Sequence, residues 1–218
     1  MIETAADRET GIEVASLLLK IQAVKLNVEQ PFIWASGWHS PIYCDNRMSL
    51  GFPEIRSFIK SCLAKKIKQV FPECEAIAGV ATAGIPQGVL VADSLELPFL
   101  YVRSKPKGHG LGNLIEGSYS EGQKVVVLED LISTGGSALK AVEALRNADM
   151  KVLGLASIFT YGFDIADNNF QEALVPWFSL SNYHLLVEYA VGQGMVNPAQ
   201  HSLLQEWRKG PEEWKVPG

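Results

Sequence analysis

A buried strand that runs into two acidic residues and then into a glycine-rich turn constrains this chain more than any other feature. Residues 125–137 read VVVLEDLISTGGS, and the four apolar residues at the start have no polar residue between them. Such a run is typical of a strand covered on both faces, as in a parallel sheet. Ala138, Val142 and Leu145 then recur at helical spacing, so the segment predicts a strand, a turn and a helix.

The turn in this segment predicts a phosphate site. The first N–H groups of a helix have no intrahelical partners, the helix dipole favours an anion, and the residues STGG at 133–136 offer little obstruction. Glu129 and Asp130 precede the turn, which suits a ligand that also carries hydroxyl groups or a divalent cation. An ordinary turn without a ligand is the competing interpretation. A Walker P-loop is excluded because no lysine follows the glycines, and the pattern G-x-G-x-x-G is missing from the segment.

The second strong signal is a basic, glycine-rich loop at residues 101–117, YVRSKPKGHGLGNLIEG. Arg103, Lys105, Lys107 and His109 place three fixed positive charges and one titratable group on it. A loop with this charge and few apolar anchors is expected to be mobile when empty and to order over an anionic ligand. A solvated basic loop without a ligand is the alternative.

Residues 125–137 resemble the phosphoribosyl diphosphate (PRPP) signature of the type I phosphoribosyltransferases. The basic loop, R-x-K-x-K-x-H-G and then G-x-x-I-E-G, resembles the catalytic loop of the orotate phosphoribosyltransferases. The stretch FIWASGWHSPIYCDNR at 32–47 resembles the N-terminal hood of that family, and GVATAGIP at 79–86 resembles its diphosphate loop. The implied activity is transfer of the ribose 5-phosphate group from PRPP to orotate, giving orotidine 5′-monophosphate and diphosphate in UMP biosynthesis.

The resemblance also implies roles for individual residues. The acid pair would contact the ribose hydroxyls, and the turn after it would wrap the 5′-phosphate. Arg103, Lys107 and His109 would be catalytic, offsetting the charge of the leaving diphosphate without a protein nucleophile. Mg²⁺ would be carried by PRPP rather than by a protein site. The expected PRPP contacts are Arg103, Lys107, His109, Glu129, Asp130, Leu131, Ile132, Ser133, Thr134, Gly135, Gly136 and Ser137, and the expected orotate contacts are Ser133 and Ser40.

Some positions depart from the enteric form of the family. Where that form has lysines, this chain has Ala35 in the hood, Ala83 in the diphosphate loop and Ser104 in the basic loop. The chain therefore has fewer fixed cations than that form. The resemblance further implies a cis peptide bond between Ala81 and Thr82. Three hood aromatic residues are candidates for stacking on the base, although such residues more often belong to the core: Phe32, Trp34 and Trp38.

The remaining patterns predict an α/β fold with a doubly wound, mostly parallel central sheet flanked by helices. An N-terminal helix and a small hood would take about residues 1–50 and the PRPP-binding core about residues 51–218, in one domain. Residues 32–45 are expected to form two short strands around a turn. Apolar positions of the N-terminal helix are expected on one face: Val14, Leu17, Leu18, Ile21 and Val24. Further strands are expected at 76–80, 97–102, 151–159 and 173–178, and helices at 85–93, 182–190 and 198–209 and from Pro53 onward.

Composition argues against several other classes of protein, such as nucleic-acid-binding, secreted and membrane proteins. A length of 218 residues suits one domain, and a net charge of −5 argues against a large nucleic-acid surface. Cys44, Cys62 and Cys74 lack metal-ligand spacing and are expected to be free thiols in a reducing cytoplasm. The polar N-terminus does not resemble a signal peptide, and no apolar run reaches membrane-spanning length. We therefore expect a cytoplasmic protein with neither nucleic-acid nor membrane partners.

Three alternatives stay open beside this interpretation. A type I phosphoribosyltransferase that acts on a purine base would share the PRPP segment, but not the hood and the basic loop. A PRPP-sensing regulator of the same fold would need a basic face or an added domain. One half of a larger fused enzyme is the third, which the end of the chain at Gly218 argues against. The family further implies a homodimer in which the basic loop of one subunit reaches the site of its neighbour.

Overall fold

The computed structural model describes residues 5–34, 36–105 and 114–214. Its strands are β1 Val24–Leu26, β2 Phe32–Ile33, β3 His39–Ser40, β4 Ile42–Cys44, β5 Ala76–Val80, β6 Phe99–Val102, β7 Ile115–Glu116, β8 Lys124–Ile132, β9 Lys151–Thr160 and β10 Trp177–Asn182. Its helices are α1 Ala5–Lys20, α2 Pro53–Val70, α3 Gly84–Leu95, α4 Gly136–Asn147, α5 Asp164–Glu172, α6 Tyr183–Gly192 and α7 Pro198–Lys209, with a 3₁₀ helix at Asn46–Gly51.

The centre of the molecule is a six-stranded sheet in the order β10-β9-β8-β5-β6-β7. Every pairing in it is parallel except that of β6 with β7. Helices α4 and α5 cover one face, while α1, α2, α3, α6 and α7 pack on the other. The predicted doubly wound, mostly parallel sheet is therefore confirmed. Because parallel strands end at the same edge, the loops after β5, β6 and β8 meet there.

Strand β8 is buried on both faces, as its unbroken apolar run predicts. Val126 and Leu128 lie in the core beneath α2 and α3, whereas Val125 and Val127 lie in the core beneath α4, and all are fully buried. Burying a side chain of this kind contributes roughly 1.5–3 kcal/mol to stability. The strand continues beyond Leu128 to Ile132, since β9 stays paired with it to that point. The acid pair is thus part of the strand and not of the turn.

The hood contains more structure than the predicted pair of strands. Strands β2 and β3 form the expected antiparallel hairpin, while β4 turns away and pairs with β1. The expected place of Val24 on the N-terminal helix is wrong, because α1 ends at Lys20 and Val24 lies in β1. Gln22 takes a positive φ of 57° just after the helix, which reverses the chain before the strand begins.

The strand predicted at 173–178 is also wrong in its position. Residues before it form α5, which the sequence patterns missed, and Val175 N–H bonds the carbonyl of Phe170 to close that helix. Leu174 there has a positive φ of 54°. Pro176 has no N–H to give to a ladder, so the strand β10 begins at Trp177.

The structure bears on two expectations from composition, the state of the cysteines and the presence of membrane-spanning helices. Cys44, Cys62 and Cys74 are free thiols, as predicted. Burial raises the pKa of the Cys44 thiol well above its usual range, which favours its uncharged form. Across the described ranges, no helix combines the length and the apolar character that crossing a bilayer requires.

Candidate active site

A cleft of about 300 Å³ opens at the carboxyl ends of β5 and β8. Residues 81–83 line one side of it, and residues 129–138 line the other. The fold therefore brings together two of the predicted site segments, the diphosphate loop and the PRPP segment. Ser133 and Thr134 are half-buried in this wall, and Gly136 and Ser137 are exposed to solvent. All of the PRPP contacts expected between positions 129 and 137 lie along this one surface.

The acid pair lies in the last part of β8, and both of its residues line the cleft. Glu129 is buried, and its Oε1 accepts a hydrogen bond of 3.0 Å from the backbone N–H of Asp130. Burial, with the negative charge of Asp130, raises the pKa of Glu129 to about 9. Burial also raises the pKa of Asp130, which the side-chain hydrogen bond with Glu129 and then the positive charge of Arg47 oppose. Hydroxyl donors or a cation beside this pair would relieve its unfavourable burial.

The acid pair is the part of the site that suits Mg²⁺. Across residues 5–34, 36–105 and 114–214, no group of three or more His, Cys, Asp or Glu side chains is placed to hold a metal ion. Mg²⁺ prefers oxygen ligands and keeps several waters, so one or two carboxylates with oxygens of a phosphorylated ligand suffice for it. Glu129 and Asp130 meet that requirement.

The turn after β8 is held in shape by its neighbours. The side-chain amide of Asn169 donates to the carbonyl of Thr134 over 2.9 Å, and Thr160 Oγ1 donates to the carbonyl of Ile132 over 3.1 Å. Gly135 has a φ of +82° at the N-cap of α4, where no side chain among the described residues provides a cap. The uncapped helix N-terminus is suited to an anion such as a phosphate.

The loop at residues 81–83 approaches the acid pair closely. The peptide bond between Ala81 and Thr82 is cis, as the resemblance implies. Ala81 N–H donates to the carbonyl of Val102 over 2.8 Å, which ties the loop to the end of β6. A Cβ on Gly84 would lie 2.4 Å from the carbonyl oxygen of Leu128, so only glycine allows this approach.

The basic loop begins beside the cleft. Arg103 follows β6, donates its backbone N–H to Leu114 over 2.8 Å, and pairs through Nη1 with Oε1 of Glu116 at 3.3 Å. Its side chain is one-third exposed. These contacts close the base of the loop, so that its two ends lie together. The predicted catalytic residues Lys107 and His109 lie outside the described residues.

The hood contains a predicted orotate contact, Ser40, and the predicted stacking residues Trp34 and Trp38. Ser40 is fully buried, and its Oγ donates to the carbonyl of Ile42 over 2.8 Å and accepts from the N–H of Ile42. The whole residue, its backbone included, is closed to solvent, so a contact of Ser40 with orotate stays a prediction. Trp34 packs against Trp38 and Tyr161, with ring centroids 6.3 Å and 4.8 Å away. Stacking of a hood aromatic on the base stays a prediction, and Ala35 lies outside the described residues.

Sequence patterns missed two asparagines that shape the site. Asn46 donates from its side chain to the carbonyl of Asp130 over 2.8 Å, and Asn169 in α5 supports the turn at residues 133–136. Asn46 is buried at the start of the 3₁₀ helix, two residues after β4. An asparagine just after a strand hints at a structural hydrogen bond, but the sequence does not identify its distant partner.

The fold and the cleft together define a class of protein. An acid pair, a glycine-rich turn at a helix start and a small-residue loop meet at the strand ends of a doubly wound sheet, as they do in the type I phosphoribosyltransferases. The family model for the phosphoribosyl transferase domain matches residues 50–172, which hold all three features.

Similar sequences and solved structures identify the family within this class. The orotate phosphoribosyltransferase of Cytophaga hutchinsonii is 58% identical over 203 residues, which cover 93% of this chain and 97% of that protein. The one of Porphyromonas gingivalis is 53% identical over 94% of this chain and 98% of that protein. The crystal structure of orotate phosphoribosyltransferase from Aeropyrum pernix superposes with a TM-score of 0.73 at 29% identity, over 84% of this chain and 99% of that one. The chain belongs to the orotate phosphoribosyltransferase family.

Proposed function

We propose that this chain transfers the ribose 5-phosphate group of PRPP to orotate, with orotidine 5′-monophosphate and diphosphate as products in UMP biosynthesis. The observation that carries the proposal is the shared cleft of residues 81–83 and 129–138. It offers an anion site, an acid pair for hydroxyls and a second backbone loop, which match the 5′-phosphate, the ribose and the diphosphate of one substrate. The family membership supports orotate as the acceptor.

The PRPP contacts follow from this arrangement. Residues 133–137 would hold the 5′-phosphate through backbone N–H groups and hydroxyls at the start of α4. Glu129 and Asp130 would accept hydrogen bonds from the ribose hydroxyls. Those donors favour the carboxylate forms and so oppose the burial that raises the pKa of Glu129.

The chemical step would depend on charge and position rather than on a protein nucleophile. As the bond from the ribose C1 to diphosphate loosens, negative charge grows on the diphosphate. Arg103, Lys107 and His109 would offset that charge, and backbone groups of residues 81–83 would orient the leaving oxygens. Mg²⁺, carried by PRPP, would neutralise part of the charge on the substrate oxygens, with Glu129 and Asp130 as the neighbouring carboxylates.

The base would lie between the hood and the phosphate turn. The Ser133 hydroxyl and Ser40 are the proposed contacts with orotate. Ser133 follows directly on β8 and lines the cleft, whereas Ser40 ends strand β3 of the hood. We further propose a single domain formed by the hood and the core, a cytoplasmic location, and a homodimer whose basic loops complete the neighbouring sites.

The purified chain tests the proposal through the loss of orotate absorbance with PRPP and Mg²⁺, repeated with adenine, hypoxanthine and uracil. We expect turnover with orotate and with none of the other three bases. Asp130→Asn should lower the rate by about 10²-fold or more, since it removes an acceptor from the ribose. Asp149→Asn, at an exposed turn with a φ of 57°, is the matched control and should keep the wild-type rate. Activity on a purine and none on orotate would overturn the assignment.

A further inference from the structure

The C-terminal helix α7 carries one indole that joins the hood to the sheet. Trp207 is fully buried, and its ring lies 5.7 Å from that of Trp34 in the hood and 5.6 Å from that of Phe163 after β9. It also contacts Tyr161 and Tyr183, with ring centroids 6.1 Å and 5.4 Å away. Edge-to-face contacts of this kind restrict the rings on both sides.

Trp207 also bonds the hood directly. Its Nε1 donates a hydrogen bond of 3.1 Å to the carbonyl of His39 in β3. The next residue along that strand is Ser40, a proposed orotate contact. A buried indole N–H needs a partner, so the position of β3 is tied to that of α7. The contact spans 168 residues and fixes one specific hood carbonyl.

The same helix is itself held firmly. Asn197 and Gln200 form a capping box at its N-terminus, and Tyr183 Oη donates to the carbonyl of Leu204 over 2.8 Å. Arg208 donates to the carbonyl of Gly162, just beyond the end of β9. One well-anchored helix, α7, therefore contacts both the hood and residues 161–163, which follow β9.

We propose that Trp207, assisted by Arg208, is a positioning residue that sets the hood strand β3 for binding of the pyrimidine base. The inference rests on the proposed function. We expect Trp207 to influence binding of the base more than binding of PRPP, because different residues support the two sides. Trp207 touches the hood and residues 161–163, whereas the PRPP side of the cleft is supported by Asn169, Thr160 and Asn46. Loss of the indole bond should therefore affect the base more than PRPP.

A merely structural role of Trp207 predicts a different result from a positioning role. Trp207→Phe keeps a buried ring and removes the N–H donor. Tyr183→Phe is the matched control, because it also removes one buried hydrogen bond of α7 but leaves the hood untouched. The two variants would be compared with the wild type by the KM for orotate, the KM for PRPP and kcat. Hydrogen exchange of the amides in residues 32–44 gives a readout that needs no substrate.

We expect Trp207→Phe to raise the KM for orotate by about tenfold, the worth of one hydrogen bond, with less than about a twofold change in the KM for PRPP. Hood amides should exchange faster in it than in Tyr183→Phe, which should keep both KM values. Equal changes in both KM values, or a hood as protected as in the control, would overturn the inference. Should Trp207→Phe fail to fold, Arg208→Ala decides, and an unchanged KM for orotate there would overturn it. A wild-type chain without orotate turnover would instead refute the proposed function.

Discussion

The side-chain amide of Asn46 donates a hydrogen bond of 2.8 Å to the main-chain carbonyl of Asp130. Asn46 is only 1% exposed, and its Oδ1 in turn accepts from the thiol of Cys44 over 3.3 Å. The bond fixes the peptide plane that follows the acid pair. Asn46, just after β4, thus orients a strand end that faces the ribose in the proposed complex.

Replacing Asn46 should therefore weaken PRPP binding as well as stability. Asn46→Ala leaves the carbonyl of Asp130 without this donor, which should cost about 1–3 kcal/mol of folding free energy. We also expect at least about a tenfold rise in the KM for PRPP, because the acid pair loses its fixed orientation. Steady-state kinetics and thermal unfolding measure the two effects. Asn168→Ala, at an exposed position of α5, should alter neither. A destabilised Asn46→Ala with wild-type kinetics would show that the bond serves only the fold.

The left-handed glycine at the start of α4 provides a second prediction. A Cβ at Gly135 would lie 3.0 Å from two ring carbons of Phe170, in a residue whose φ is +82°. Gly122 has a similar φ of +74° but open space around it, so Gly122→Ala isolates the backbone cost of about 1–2 kcal/mol. We expect both variants to lose that stability in a denaturant titration. Only Gly135→Ala should also raise the KM for PRPP, by about tenfold or more, because its phosphate turn must shift. Parallel kinetics in the two variants would argue against a phosphate at this turn.

Local patterns account for what could be predicted of the fold and the cleft. Burial on both faces removes polar alternation from residues 125–128, and a phosphate turn needs small residues at a helix start. The element order then implies that the strand-end loops meet, since parallel strands end at one edge. The bond from Asn46 to Asp130 spans 84 residues, and no local pattern reports such a pair. At 173–178 the apolar run ALVPWF looks like a strand throughout, although Pro176 delays the ladder.

The buried acid pair predicts an unusual dependence of stability on pH. The pKa of Glu129 rises from its ordinary value near 4.5 to about 9 on folding, so between these values the folded state keeps a proton that the unfolded state has lost. Stability from this group is then complete below about pH 4.5 and falls as pH rises toward 9. Glu129→Gln mimics the protonated form and keeps an oxygen for the N–H of Asp130.

We therefore expect Glu129→Gln to gain Tm relative to the wild type as the pH is raised from about 5 to about 8, in the absence of substrate. Thermal unfolding at a series of pH values measures the difference. Glu121→Gln, at an exposed turn before β8, should show the same pH dependence as the wild type. A difference between Glu129→Gln and wild type that stays constant over this range would mean that Glu129 is ionised in the folded protein. The Gln variant should also lose turnover by about 10²-fold, since it removes a carboxylate from the ribose site.

The proposed sharing of sites between subunits predicts complementation between two inactive variants. Lys107→Ala should slow turnover by about 10²-fold or more, because one charge partner of the leaving diphosphate is lost. Asp130→Ala should be inactive through the ribose site. If Lys107 acts on the site of the neighbouring subunit, a mixed dimer contains one site with both residues intact. Refolding the two variants together should then restore a measurable part of the wild-type rate, whereas refolding each alone should not. Two copies of the Lys107→Ala variant with different affinity tags, mixed in the same way, control for the refolding step. Mixed dimers that form, as judged by co-purification of the tags, and yet stay inactive would place Lys107 in its own subunit's site.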